Sequence, residues 1–192
     1  MKTARAALAA VTLAVLGFLG TGCSGGGAPA APAAAPTAST PPAPASAPTQ
    51  TGTPSCTTGE LSASLGEGDA GAGSVYRSLV FTNTGPRTCE LRGFPGVSYV
   101  AGDDGHRVGP AAEMSGERGD QVPIAPGATA VAPLQLVNVQ NFDPVVCRPQ
   151  LVRGLRVYPP GDTASLFVPM EGTGCAGTPP GAQLSVRTVQ AP

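Results

Sequence analysis

The chain has 192 residues, with 27 Gly, 22 Pro, no Trp and only 4% aromatic residues. That composition excludes a bundle of long helices and leaves Val, Leu and Ala to build a core from short, turn-bounded elements. Eleven basic residues stand scattered against twelve acidic ones, so no basic stripe exists to neutralise a row of phosphates, and a nucleic-acid partner is excluded.

Residues 1–22 read as a secretory signal. Lys2 and Arg5 supply the positive start, and Ala6 to Phe18 is an apolar run too short for a comfortable membrane span. The stretch Leu19-Gly20-Thr21-Gly22-Cys23 then resembles a bacterial lipoprotein lipobox. The resemblance implies that the Cys23 thiol takes a diacylglycerol and that cleavage leaves Cys23 as the new N-terminus. The protein would then be held on the extracytoplasmic side of the cell membrane through acyl chains. Gly20 departs from the pattern, which has Leu or another branched apolar residue three places before the cysteine. Ordinary signal cleavage and a secreted protein are the alternative. Loss of Lys2 and Arg5 takes the basic count from 11 to 9, all Arg, against 12 acids, a net charge near −3.

Residues 23–55 are the lipidated Cys and a linker. Ser24 to Ser55 contains Gly, Ala, Pro, Ser, Thr and one Gln, with no charge and no apolar period. Such a segment cannot bury a core, and it is expected to be a disordered, extended stalk. At ~3.1 Å per residue it reaches at most roughly 100 Å.

Residues 56–192 form one expected domain. Glu60 to Leu65 alternates polar and apolar, which predicts a half-buried strand. Glu67 to Gly73 reads as a Gly-rich loop. Ser74 to Asn83 is the next strand, with Val75, Leu79 and Phe81 on one parity, and Asn83-Thr84-Gly85-Pro86 is turn chemistry. Cys89, Leu91 and Val97 to Val100 continue as strand, bent at Gly93-Phe94-Pro95-Gly96. Asp103-Asp104-Gly105 predicts a hairpin turn into His106-Arg107-Val108. Residues 109–120 read as exposed loop, and Gln121 to Ile124 as an edge segment interrupted by Pro123. Ala128 to Val137 returns as strand, 138–147 as loop, and Leu151 to Tyr158 as strand stopped by Pro159-Pro160-Gly161. Ser165 to Val168 and Gln183 to Val189 complete eight or nine short strands. The pattern predicts an antiparallel immunoglobulin-like β-sandwich, with a β-barrel as competitor.

Cys56, Cys89, Cys147 and Cys175 are an even set in an exported chain, which predicts two disulfides. Three pairings are open. The expected one joins sequence neighbours, Cys56–Cys89 and Cys147–Cys175. No Cys-x-x-Cys occurs, so a redox or zinc role is disfavoured.

The run Ser74-Val75-Tyr76, Leu79 to Gly85 and Thr88 to Val97, followed by Ala125-Pro126-Gly127, Cys147 and Cys175, resembles the actinobacterial "domain of unknown function 4232" family. The resemblance covers Cys56 to the C-terminus. It implies an exported or lipid-anchored envelope protein on a Pro/Ala-rich stalk, and it implies no established activity.

Chemistry-bearing residues are sparse. His106 is the single histidine, which is too few for a triad or a two-histidine metal site. Asp103 and Asp104 with Glu113, Glu117 or Asp120 lack the spacing of a calcium loop. No Gly-x-Ser-x-Gly elbow is present, and Arg118-Gly119-Asp120 is three common residues in a polar loop. No metal and no cofactor are expected. Leu91 to Gly96 is the densest signature, read as a bulged bend, with Phe94 and Tyr99 as the residues to shape a ligand groove. Tyr99 and Tyr158 are expected at sandwich edges. The function expected is a non-catalytic binding module for an envelope protein, glycan or small ligand. The alternatives are a wall-glycan hydrolase with paired carboxylates and a structural spacer.

Overall fold

A computed structural model describes residues 52–192. Cys23, the signal segment and nearly all of the linker lie outside the described residues. Eleven strands make two main sheets and one ribbon. The first sheet has the order β1 (Leu61–Gly71), β2 (Ser74–Asn83), β8 (Thr129–Val137), β11 (Leu184–Val186) and β6 (Glu113–Met114). The second has the order β10 (Leu166–Cys175), β9 (Pro149–Tyr158), β4 (Gly96–Ala101) and β5 (His106–Val108). A ribbon of β3 (Cys89–Leu91) and β7 (Val122–Ile124) stands beside them. All pairings are antiparallel except β11 with β6. The sheets keep separate edges and bury their inner faces against each other, so the molecule is a sandwich and not a barrel.

The inner faces follow from period-two alternation. β8 alternates burial at every residue along its length. Its inward positions Ala130 and Ala132 lie opposite Phe81 and Leu79 of β2. Large side chains on one strand thus face small ones on the next, which fills the layer without tryptophan. Two buried amides join neighbouring segments. Asn83 Nδ2 donates to the carbonyls of Arg87 and Ile124, both at 2.8 Å. Gln183 Oε1 accepts from Cys175 N at 2.7 Å, and its Nε2 donates to the Val108 carbonyl at 3.3 Å.

The Sγ atoms of Cys56 and Cys89 are 2.07 Å apart, and those of Cys147 and Cys175 are 1.97 Å apart. The first pair ties the start of the domain to β3, where Cys56 N also donates to the Glu90 carbonyl at 3.0 Å. The second ties the short helix α1 (Pro144–Cys147) to the end of β10.

Four stretches differ from the sequence expectations. The expected loop at 67–73 is strand as far as Gly71. A register shift lies between Leu65 and Gly68, and the turn shrinks to Ala72-Gly73, both at positive φ. Glycines there pair through the main chain, which requires no side chain. β10 runs ten residues instead of four. Pro169 and the glycines beyond it read as strand breakers, but a register shift between Pro169 and Gly172 on this edge strand accommodates them. The expected loop at 109–120 contains β6, which closes the edge of the first sheet. The expected loop at 138–147 holds a 3-10 turn (Val139–Asn141) and α1. Their N-terminal amides are capped by Asn138 Oδ1, accepting from Gln140 N at 3.0 Å, and Asp143 Oδ1, accepting from Val145 N at 2.8 Å.

Candidate functional site

β2 runs from one pole of the sandwich to the other. At its Asn83 end lies the entry of the described chain, because Leu61 pairs with Asn83 and Thr84 N donates to the Glu60 carbonyl. Its Ser74 end lies roughly 30 Å away at ordinary strand rise. The inward parity of β2 reads Phe81, Leu79, Arg77, Val75 toward this second pole. The large buried side chains therefore give way to a charged residue and to Val75, which is 40% exposed. On the facing sheet Gly172 and Gly174 contribute no side chain. The interior accordingly opens as a groove of about 410 Å³. Val75, Arg77 and Leu136 form one wall, Tyr99, Met170 and Gly172 the other, and the Val139–Gln140 turn the rim.

Tyr99 gives this groove its chemistry. Its ring reaches across β9 toward β10, where a Cβ on Gly174 would lie 2.9 Å from the ring Cδ2. Glycine is what makes room for the ring. Only 3% of Tyr99 is exposed, and burial pushes its hydroxyl up to about 12. The hydroxyl has no protein hydrogen-bond partner among the described residues, and none of their side-chain polar atoms is both sealed from solvent and unpartnered. The hydroxyl is thus the part of Tyr99 that reaches the groove. Arg77 is fixed at the wall by its Nε donating to the Gly66 carbonyl at 2.8 Å, at the bulge of β1. Its terminal nitrogens have no partner among the described residues. Glu171 also lines the groove but is exposed.

Phe94 and Tyr99 are not brought together. Phe94 is half-buried in the bend between β3 and β4 and stands apart from this groove. That bend is held by packing: the Gly93 carbonyl accepts from Val189 N at 2.8 Å and from Thr188 Oγ1 at 3.3 Å, and the Arg118 guanidinium lies over Gly93. Arg118 and Gly119 of the Arg-Gly-Asp tripeptide are engaged in the same contact, with Gly119 N donating to Thr188 Oγ1 at 3.1 Å. Tyr99 is a core residue rather than an edge residue, since central strand β4 buries both its faces. Tyr158 is half-buried against Gly96.

His106 lies on the exposed hairpin, with Nδ1 2.8 Å from Asp104 Oδ1 and Nε2 3.1 Å from Gln150. The contact with His106 holds Asp104 below the usual carboxylate range. Arg153 Nη1 donates to the Gly102 carbonyl at 2.8 Å and meets Asp103 at 3.4 Å, so these acids brace the hairpin. No group of three or more His, Cys, Asp or Glu fit to hold a metal occurs among the described residues. A second, smaller groove of about 270 Å³ lies on the outer face of the first sheet, lined in part by Glu67, Asp69, Tyr76 and Arg187, and Arg77 borders this groove as well. Its two carboxylates come from one strand and stand on one wall. The Tyr76 hydroxyl there already accepts from Gln135 Nε2 at 3.3 Å.

A family model described as "Domain of unknown function (DUF4232)" matches residues 56–190. The chain belongs to that family. The match begins at the first disulfide cysteine and ends at Gln190, which pairs with Val131 of β8, so the DUF4232 unit coincides with the whole sandwich. No curated protein and no solved structure gives a significant match. Among the described residues, no helix of this DUF4232 protein is long and apolar enough to cross a membrane. Sequence reasoning named Tyr99 but missed Arg77, Leu136 and Met170. The signal that could have found Arg77 was its position on the inward parity of β2, between Val75 and Leu79.

Proposed function

We propose that this DUF4232 protein is a cell-envelope lipoprotein whose sandwich is a non-catalytic binding module. The observation that carries this reading is the open groove between the sheets, to which Tyr99, an otherwise buried core side chain, presents a hydroxyl that has no protein partner among the described residues. A spacer needs no such feature, because a sealed core would be more stable without it. The position of the groove supports the same reading. The chain enters the sandwich at the Asn83 pole and the groove opens at the other, so the groove stands clear of the point where the linker joins the sandwich. The long uncharged linker provides the reach.

The test uses the chain from Ser24 with both disulfides formed, immobilised and exposed to solubilised envelope. Gly172→Phe places a ring in the groove, at a site where a Cβ would meet its nearest neighbours, Met170 and Val152, at a relaxed 3.9 Å. A partner retained by the native chain and lost in Gly172→Phe, with the unfolding midpoint unchanged, is the expected result. Equal retention by both chains would move the binding surface elsewhere, and no retention by either would favour the spacer. Cys23→Ala is expected to release the protein from the membrane fraction, and undiminished membrane retention would refute the lipid anchor.

A further inference from the structure

We propose that the inter-sheet groove takes a small amphiphile made of an apolar chain and a carboxylate. The apolar part lies between Val75 and Leu136 on one wall and Met170 and the Tyr99 ring on the other, and acceptor oxygens meet the Tyr99 hydroxyl and the Arg77 guanidinium. This inference rests on the binding-module reading and adds the chemistry of the ligand.

Val75, Leu136, Met170 and the Tyr99 ring give the groove an apolar surface that suits an apolar chain, while Asn138, Gln140 and Thr173 add polar groups to its lining. The Tyr99 hydroxyl keeps its proton at neutral pH, as any tyrosine does, and burial raises its pKa further, to about 12. It offers a donor that has no protein acceptor among the described residues, and an acceptor atom of an occupant can take it in place of water. Arg77 and Glu171 are the two charges of the groove. Glu171 is exposed, where water and salt screen it, whereas Arg77 is half-buried and oriented by its bond to Gly66. The charge that an occupant feels most strongly is thus positive, and a planar carboxylate matches the free end of a guanidinium. The volume, about 410 Å³, is in the range of small-molecule sites and too small for a folded partner.

Decanoate, decanol and decylamine share one chain and differ in the head group. Titrated into the chain from Ser24, they can be followed in the near ultraviolet, since the protein has three Tyr and no Trp. Calorimetry gives affinities for variants that lose the Tyr99 signal. Decanoate is expected to saturate, with decanol at least about tenfold weaker, the worth of a charge-assisted bond, and decylamine weaker still. Tyr99→Phe should weaken decanoate about tenfold. Arg77→Gln should erase the preference for decanoate over decanol, and Arg77→Lys should restore part of it. Decanol binding as tightly as decanoate, a preference for decylamine, or unchanged decanoate affinity in both Tyr99→Phe and Gly172→Phe would each overturn the proposal. If decanoate fails to bind but an envelope partner is captured and lost in Gly172→Phe, the ligand class falls and the binding-module reading stands.

Discussion

Tyr99 and Asn83 show how differently two buried polar side chains behave. Asn83 satisfies its amide within the fold: Nδ2 donates to two carbonyls and Oδ1 accepts from Gly85 N at 2.9 Å. Asn83→Ala removes all three bonds and strands buried main-chain groups, which should cost roughly 2–4 kcal/mol in urea unfolding. The Tyr99 hydroxyl has no protein partner, so Tyr99→Phe should change stability by less than about 1 kcal/mol. A loss as large as that of Asn83→Ala would mean that the hydroxyl is structural, and its assignment to a ligand would fail. Gly154 marks a third kind of constraint. A Cβ there would lie 2.5 Å from the Phe167 ring and from the Val168 carbonyl, so Gly154→Ala should cost about 1–3 kcal/mol by overpacking.

At the level of elements, the two cysteine pairs each join a short peripheral piece to a long strand or ribbon. Their partners are separated by 33 and 28 residues. Each crosslink of that loop length is worth roughly 3.5–4 kcal/mol in the chain-entropy model. The non-reduced chain from Ser24 should show no free thiol, and reduction should lower the unfolding midpoint markedly. Two reactive thiols in the native protein would contradict the pairing. Cys147–Cys175 also fastens α1 to the end of β10, close to Gly174 and the Tyr99 ring. Its removal should therefore weaken groove binding more than removal of Cys56–Cys89, which sits at the opposite pole.

Across the whole molecule, charge matters most at the entry pole. Glu60 accepts from Arg87 at 2.6 and 2.7 Å and from Thr57, and these bonds hold its carboxyl at about 2 against an ordinary 4.5. A carboxyl depressed in the folded state stabilises fully above the unfolded value, and that stability is lost as pH falls through the folded one. The unfolding temperature should therefore drop between about pH 4.5 and 2, and Glu60→Gln should flatten part of the drop. Asp162 adds to the same slope, since the amide of Ala164 and the hydroxyl and amide of Thr58 hold it below its ordinary range. Local pattern sufficed for most strands, for the all-β sandwich class and for the family, because strand period and turn residues are written in adjacent positions. It failed where an element depends on a partner far away in the chain. β10 continues past Pro169 because β9 holds it across a bulge, and β6 exists only because β11 lies beside it. The groove is of the same kind. Tyr99 is legible in the sequence as a residue worth noting, but its pairing with Phe94 is not sound, since the bend carrying Phe94 packs on the end of β11. That Arg77 faces the same opening as Met170 follows from two sheets meeting, a contact that no local window of sequence contains. Sequence alone determined most of the strands and the all-β class, because strand period and turn residues are local. Tertiary packing decided that the inward row of β2 ends before the core is closed, and so where a ligand can enter.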